Sequence, residues 1–275
     1  MKAFHSLLTT STFLSIPLLG EQVIEVSNQS TEIPLVSESI PLLIEQWSDD
    51  ANISILAHDK ASVIVVIEEF DARNDDKDTA SVRFDDKSGR LRVNLRGDLD
   101  ESDLTYFVPV NTSAELKCSD GDIRIEGING NIEISADDGD IELKEIGGSI
   151  VAKASNGDII ISRISGSLVA HSEDGDVEVA LGQEDRLTIA SLASEDGDID
   201  LELPADFNGT LAASTADGDF SSDFPIDMSA PSKGSTLKKG LFKVAGRIGP
   251  PGPDDAQLAM ATSDGNITIR KQDSH

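Results

Sequence analysis

The chain has 275 residues, 51 acidic against 22 basic, and a formal net charge of −29 at pH 7. That balance argues against nucleic acid and anionic membrane surfaces as partners, because both require a broad basic face. Aromatic residues make up only 4% of the chain, so any core must be aliphatic and thin, and 275 residues allow one large domain or two small ones.

Met1 to Gly20 is predicted to be a secretory leader, with Lys2 as a short basic start and Leu7 to Leu19 as a semi-apolar run. No later run reaches the ~18 apolar residues needed for a bilayer-spanning helix. Residues 21–111 read as a less regular β region. Val23-Ile24-Glu25-Val26, Leu42-Leu43-Ile44, Ile53-Ser54-Ile55 and Val63 to Ile67 are its first strands. The acidic run Asp71 to Asp78 is a solvated loop. Ser81 to Phe84 and Leu91 to Leu95 form a hairpin around Ser88-Gly89. Asp103 to Val110 is a further strand. Trp47 and Tyr106 are expected to plug an end of the fold.

From Ser119 to Asp176 glycine returns every nine residues, at 121, 130, 139, 148, 157, 166 and 175. Alternate glycines sit in an acidic frame: Asp120-Gly121-Asp122, Asp138-Gly139-Asp140, Asn156-Gly157-Asp158 and Asp174-Gly175-Asp176. The period is therefore eighteen, in two unlike halves, which signals stacked coils. Between the turns lie alternating strands such as Ile123-Arg124-Ile125 and Ile141-Glu142-Leu143. Folding the chain at eighteen produces aliphatic columns: Ile123, Ile141, Ile159, Val177; then Ile125, Leu143, Ile161, Val179; and, opposite, Ile132, Ile150, Leu168. The residues between them are polar, including Ser135, Lys153 and His171. The pattern predicts an all-β parallel solenoid over residues 112–223, two short strands per coil, right-handed like nearly all parallel crossovers. The turn glycines are expected for the positive φ that a tight turn requires.

After Gly175 the rhythm stretches, and the additions around Gln183 to Arg186 and Pro204 to Asp206 are read as loops. Residues 224–257, with Gly249-Pro250-Pro251-Gly252-Pro253 and a basic segment, form a loop or cap. Residues 258–275 restore the repeat as a terminal coil.

These features resemble a bacterial family of β-strand-repeat proteins labelled "putative adhesins", of unknown function and related to the head-GIN autotransporter adhesins. The resemblance rests on Tyr106-Phe107-Val108-Pro109-Val110 leading into Ser119-Asp120-Gly121-Asp122-Ile123, on the repeated Asp-Gly-Asp-Ile turns, and on Gly246-Arg247-Ile248-Gly249 followed by Thr262 to Arg270. It covers Ile44 to Lys271. It implies a β-solenoid and brings no catalytic residues.

Asp122, Asp140, Asp158 and Asp176 fall in one row at a coil spacing of about 4.8 Å. Like charges there repel by roughly 1 kcal/mol in water, and hydrogen bonds from backbone N–H groups or bound Ca²⁺ would offset that. Calcium-binding nonapeptide repeats share the nine-residue half-coil, but the Asp-Gly-Asp turn is too short to supply six oxygens, so a structural turn is the favoured reading and Ca²⁺ the alternative; no other cofactor is expected. The lone Cys118 reads as a small buried hydrophobe. His5, His58, His171 and His275 are scattered, Arg163 and Arg186 are isolated, and no nucleophile elbow or phosphate loop is present, so no catalysis is expected. Val151, Ile160 and Val169 point outward and are candidate docking residues if they merge. The overall expectation is a non-enzymatic, extracytoplasmic (periplasmic, surface or secreted) structural or adhesin-like module for an unidentified protein or cell-surface partner. Alternatives are a calcium-binding acidic solenoid and a cytosolic scaffold that self-associates through its coil ends.

Overall fold

The computed structural model describes residues 21–25, 30–34, 42–48, 51–67, 79–85, 88–96, 103–228, 242–253 and 255–272. The leader-like stretch, the acidic loop at 71–78 and most of the basic segment at 233–243 lie outside these. Among the described residues every regular element is a strand, and no helix is long and apolar enough to cross a membrane.

The first third contributes β1 (Glu21–Glu25), β2 (Ser30–Pro34), β3 (Leu42–Ser48), β4 (Ile53–His58), β5 (Ser62–Ile67), β6 (Thr79–Asp85), β7 (Arg90–Arg96) and β8 (Leu104–Pro109). The repeats follow as β9 (Thr112–Cys118), β10 (Ile123–Glu126), β11 (Ile132–Ala136), β12 (Ile141–Ala154), β13 (Ile159–Ser172), β14 (Val177–Ala180), β15 (Leu187–Ser194), β16 (Ile199–Leu203), β17 (Gly209–Thr215) and β18 (Phe220–Ser222). Last come β19 (Ile226–Asp227), β20 (Phe242–Ile248), β21 (Ala256–Thr262) and β22 (Ile267–Lys271).

The architecture is β-solenoid-like. Two walls of strands face each other across an aliphatic interior. In the first wall the order is β2, β5, β8, β4, β10, the first half of β12, the first half of β13, β14, β16, β22, β18. In the second it is β1, β6, β7, β3, β9, β11, the second halves of β12 and β13, β15, β21, β17, β20, β19. β12 and β13 each cross both walls, bending where Glu145 and Arg163 hold φ of 56° and 54°. Gly127, one coil earlier, holds φ of 82°, so one left-handed corner recurs at offset eighteen.

Strand alternation sends every second side chain inward. Ile123, Ile141, Ile159 and Val177 are paired neighbours in adjoining strands and all are buried. Ile132, Ile150 and Leu168 do the same opposite. Such a core has no long-range jigsaw of aromatics; it repeats one thin layer of Ile, Leu, Val and Ala.

The last coil of the chain is not the last coil of the stack. β21 lies between β15 and β17, and β22 lies between β16 and β18. At the opposite end β4 likewise lies between β8 and β10, and β3 between β7 and β9. Antiparallel strands close three of the four edges: β5 and β2, then β6 and β1 beyond the parallel β7, and finally β20 and β19. Antiparallel closure ends the parallel template that would otherwise invite another chain. The fourth edge, β18, pairs with β22 alone among the described residues.

Gly148 and Gly166 hold the positive φ that the sequence suggests, but the glycines of the acidic turns are required for a different reason. None of Gly121, Gly139, Gly157 or Gly175 has positive φ. A Cβ on Gly157 would instead lie 2.1 Å from the carbonyl oxygen of Gly139, and one on Gly175 2.1 Å from that of Gly157. Each turn seats its backbone in the space that the next glycine leaves open.

Candidate functional site

The outer faces of the two walls differ in how their charges are used. On the first wall Arg124 pairs with Glu142 at 2.7 Å and with Glu126 at 3.2 Å, and Lys144 reaches Glu126 at 2.6 Å. The Lys144 hydrogen bond, with that of Arg124, holds the Glu126 carboxyl below the ordinary range. Further along, Arg270 meets Asp200 at 3.0 Å. At the corner Arg163 pairs with Glu145 at 2.7 Å, so Arg163 is not the isolated residue that its sequence position implies. On the second wall Arg247 of β20 pairs with Asp255, whose carboxyl it also holds low.

On the second wall one outward column runs Trp47, Lys117, Ser135, Lys153, His171, Ala193. Lys117, Lys153 and His171 have no carboxylate partner among the described residues. Trp47 is 52% exposed, so it does not plug the stack. It lies on the outer face, with the Arg92 guanidinium carbon 4.2 Å and the Lys117 Nζ 5.6 Å from its ring centroid. Arg92 and Arg90 both grip Glu45 at 3.0 Å. Tyr106, expected at an end of the fold, instead fills the core from β8, which lies between β4 and β5. Its hydroxyl donates to Gln46 Oε1 at 2.8 Å, Gln46 Oε1 also accepts from the Val93 N–H at 3.2 Å, and burial raises the phenol pKa. Thus one strand, β3, turns Ile44 and Gln46 into the core and Glu45 and Trp47 to the outside.

The adjacent outward column carries Glu115, Glu133, Val151, Val169 and Ser191. Val151 and Val169 are therefore neighbours, with Val169 41% exposed and Ile189 beside them 49% exposed. Ile160, the third candidate docking residue, is exposed on the opposite wall between Glu142 and Glu178, so the three do not merge. Toward the far end the second wall flattens into Ser191, Ala193, Ala259, Ala261, Ala212 and Ser214, which floor a shallow groove of about 590 Å³ with Met228 and Lys243 on its rim.

The acidic turns form a ladder along one edge. Asp140 N–H donates to Asp122 Oδ1 at 3.0 Å, Asp158 N–H to Asp140 at 2.9 Å, Asp176 N–H to Asp158 at 2.8 Å, and Asp198 N–H to Asp176 at 2.7 Å. Asn52 begins the ladder, and Asn266 carries it on to Asp219, whose N–H donates to Asn266 Oδ1 at 3.0 Å. Each carboxylate caps the amide of the following coil, so the repulsion between neighbours is offset by charge-assisted hydrogen bonds. Among the described residues no three His, Cys, Asp or Glu side chains are grouped to hold a metal.

Cys118 is buried, as its apolar neighbours suggest, but its sulfur has polar work. It donates to the Ala51 carbonyl at 3.3 Å and accepts from the Gly121 N–H at 3.2 Å. Ser172 and Ser194 occupy the same place in later coils and make the same two bonds.

The period of eighteen places Ser135, Lys153 and His171 in one column from the sequence alone, and the register of β9 against β11 adds Lys117. Trp47 could not be added that way, because the first third has no period to set the register of β3.

An all-β, β-solenoid-like repeat protein is the class these features define. A family model described as Toastrack DUF4097 matches residues 108–186 and 149–270, which together exceed half of the chain, and the chain belongs to that family. No curated protein matches it. A solved structure described as a "putative cell adhesion protein" from Clostridium sporogenes is similar at 10% identity, covering 92% of this chain and 99% of that one, with a TM-score of 0.36.

Proposed function

We propose that this protein is a non-catalytic, extracytoplasmic display module of the adhesin type, which binds a partner through the outer face of its second wall. The observation that carries the reading is the contrast between walls. The first wall pairs Arg124, Lys144 and Arg270 with carboxylates, whereas midway along the second the half-buried Val151 and the exposed Val169 lie beside Lys153, which has no carboxylate partner among the described residues. Apolar side chains next to unpaired charges are what a docking surface presents. The winding is read as right-handed, and the link to head-GIN adhesins belongs to the same reading. The test is binding of the purified protein to native cell envelopes. A Val151→Asp/Val169→Asp variant with unchanged melting should lose that binding; equal binding by the variant would overturn the proposal. A native N-terminus cut after the leader-like stretch is expected, and an uncut one would speak for the cytosol.

Two observations favour other readings. The Asp122, Asp140, Asp158 and Asp176 row leaves one oxygen of each carboxylate free of the ladder, which suits Ca²⁺; an unchanged melting temperature in millimolar Ca²⁺ would remove that reading. The edge of β18, which has no second strand partner among the described residues, suits self-association, and a monomer at high concentration in light scattering would remove that one.

A further inference from the structure

We infer that the C-terminal coil, β21 with β22, is an exchangeable insert and that a second copy of this chain can supply it, each copy seating its coil in the other. The inference goes beyond the display reading and does not rest on it. The order of the stack carries it. The coil that comes last in sequence, residues 256–271, lies between the coil of β15 and β16 and the coil of β17 and β18. Those two coils must therefore stand apart until it arrives.

Both sides of the seat exist without the insert. On one side β15 and β16 continue the regular stack from β13 and β14. On the other, β17 is held along its far edge by β20, which also holds β19. The insert pairs with both sides, and its inward Leu258, Met260, Ile267 and Ile269 are buried. Its turn fits both sides as well. Thr262 Oγ1 donates to the Gly197 carbonyl at 3.0 Å, and Thr215 Oγ1 donates to that of Gly265 at 3.0 Å. Asn266 N–H donates to Asp198 Oδ1 at 2.7 Å, and Asn266 Oδ1 accepts from Asp219 N–H at 3.0 Å. A second copy carries the identical coil and reproduces all of these contacts, so exchange changes only the link and the cost of association. The link, Gly249 to Asp255, must carry the chain from β20 on one side of β17 to β21 on the other. Gly249 turns at φ of 70°, and Pro250, Pro251 and Pro253 each fix φ. The fold-back is pinned by Asp255, which accepts from the Arg247 guanidinium and from Gly252 N–H at 3.1 Å. Proline-rich segments favour extension, and an extended link carries the coil away from its own seat and toward another copy's.

The test uses two full-length chains in a Cys118→Ser background, since Ser172 and Ser194 hold that place in later coils. One chain carries Ser191→Cys and the other Ala259→Cys. The two positions are exposed neighbours across β15 and β21, within disulfide reach at a strand spacing of about 4.8 Å. Each chain has one thiol, so a 191–259 disulfide can form only between copies. The mixed chains are unfolded in urea, refolded together and oxidised, and the bridge is identified by peptide mass. A short link holds its own coil at an effective concentration on the order of 1 mM, so the bridged dimer should be scarce at micromolar chain and abundant at millimolar chain. Added salt should raise its share by screening two copies of charge −29. Asp255→Ala, which unpins the link, should raise it severalfold. Chains folded separately and then mixed should show little of it. No 191–259 bridge at millimolar chain, equal bridging by separately folded chains, or 191–191 and 259–259 bridges as abundant as 191–259 would each overturn the inference. So would dimers lacking the bridge, which would point to the β18 edge. So would a Ser191→Cys/Ala212→Cys chain that closes a disulfide within a monomer, because β17 would then have taken the seat itself. Envelope binding is not read in any of these measurements, so the display reading stands or falls separately.

Discussion

Asp158 donates its backbone N–H to the Oδ1 of Asp140 at 2.9 Å, so a carboxylate in one coil caps an amide in the next. The relationship repeats from Asn52 to Asn266 and explains how a row of like charges can be stacked at strand spacing. Two consequences separate the hydrogen bond from the charge. Asp140→Asn keeps an acceptor and removes a negative charge, and the native asparagines at 52 and 266 show that the site accepts it. It should leave stability unchanged or raise it by up to about 1 kcal/mol. Asp140→Ala removes the acceptor and should cost about 1 kcal/mol. Urea midpoints measured at low and high salt check both, with the gain from Asn shrinking as salt screens the row.

Ser172 and Ser194 bridge a glycine carbonyl in one coil to a glycine N–H in their own turn. Ala136 and Ala154 occupy the same column without a hydroxyl. Ala136→Ser and Ala154→Ser should each add this bridge and stabilise by about 1 kcal/mol, whereas Ser172→Ala should cost about 1–3 kcal/mol by stripping buried groups of a partner. Thermal and denaturant unfolding of the single variants decide it; destabilisation by both serines would contradict the bridging role.

Gly157→Ala tests the interlock. Its Cβ would meet backbone, the Gly139 carbonyl oxygen at 2.1 Å, and backbone cannot swing aside as a side chain can. The expected cost is about 3 kcal/mol, the upper end for overpacking. Gly252, whose added Cβ would meet only Asp255 Oδ1 at 3.5 Å, should tolerate alanine with little change. Equal effects at the two sites would argue that conformational freedom, not space, sets the glycine rhythm.

Glu126 predicts a pH dependence. Hydrogen bonding from Lys144, then Arg124, holds its carboxyl below its ordinary value in the folded state. The stabilisation is therefore present above the unfolded value of about 4.3 and lost as pH falls through the lower folded one. Glu126→Gln should be less stable than wild type at neutral pH, and the difference should close on acidification below about pH 4. A gap that stayed constant through that range would show the pair to be electrostatically silent.

How much of this was legible before folding depends on where a residue lies relative to the period. For 119–176 the recurrence at eighteen identified the strands, the inward columns and the Asp row, because a stacked coil transmits one residue's environment to the residue eighteen later. It also placed Ser135, Lys153 and His171 in one outward column. Elsewhere the sequence supplied only local signals. It made Ser81 to Phe84 and Leu91 to Leu95 a hairpin, which β6 and β7 are, but it could not orient Trp47 or find the Gln46 to Tyr106 hydrogen bond, since those depend on the register of β3 against β7 and β9.

The amino-acid sequence by itself determined the all-β repeat, its aliphatic interior and the acidity of its turns, because these follow from alternation and period, which are properties of neighbours along the chain. The tertiary structure alone decided that β21 and β22 sit one coil inside the end of the stack, that the glycines of the acidic turns are needed for space rather than for φ, and that Trp47 shares a face with Lys153. Those are contacts between segments with no common period, and only packing, with every edge competing for a partner, selects among them.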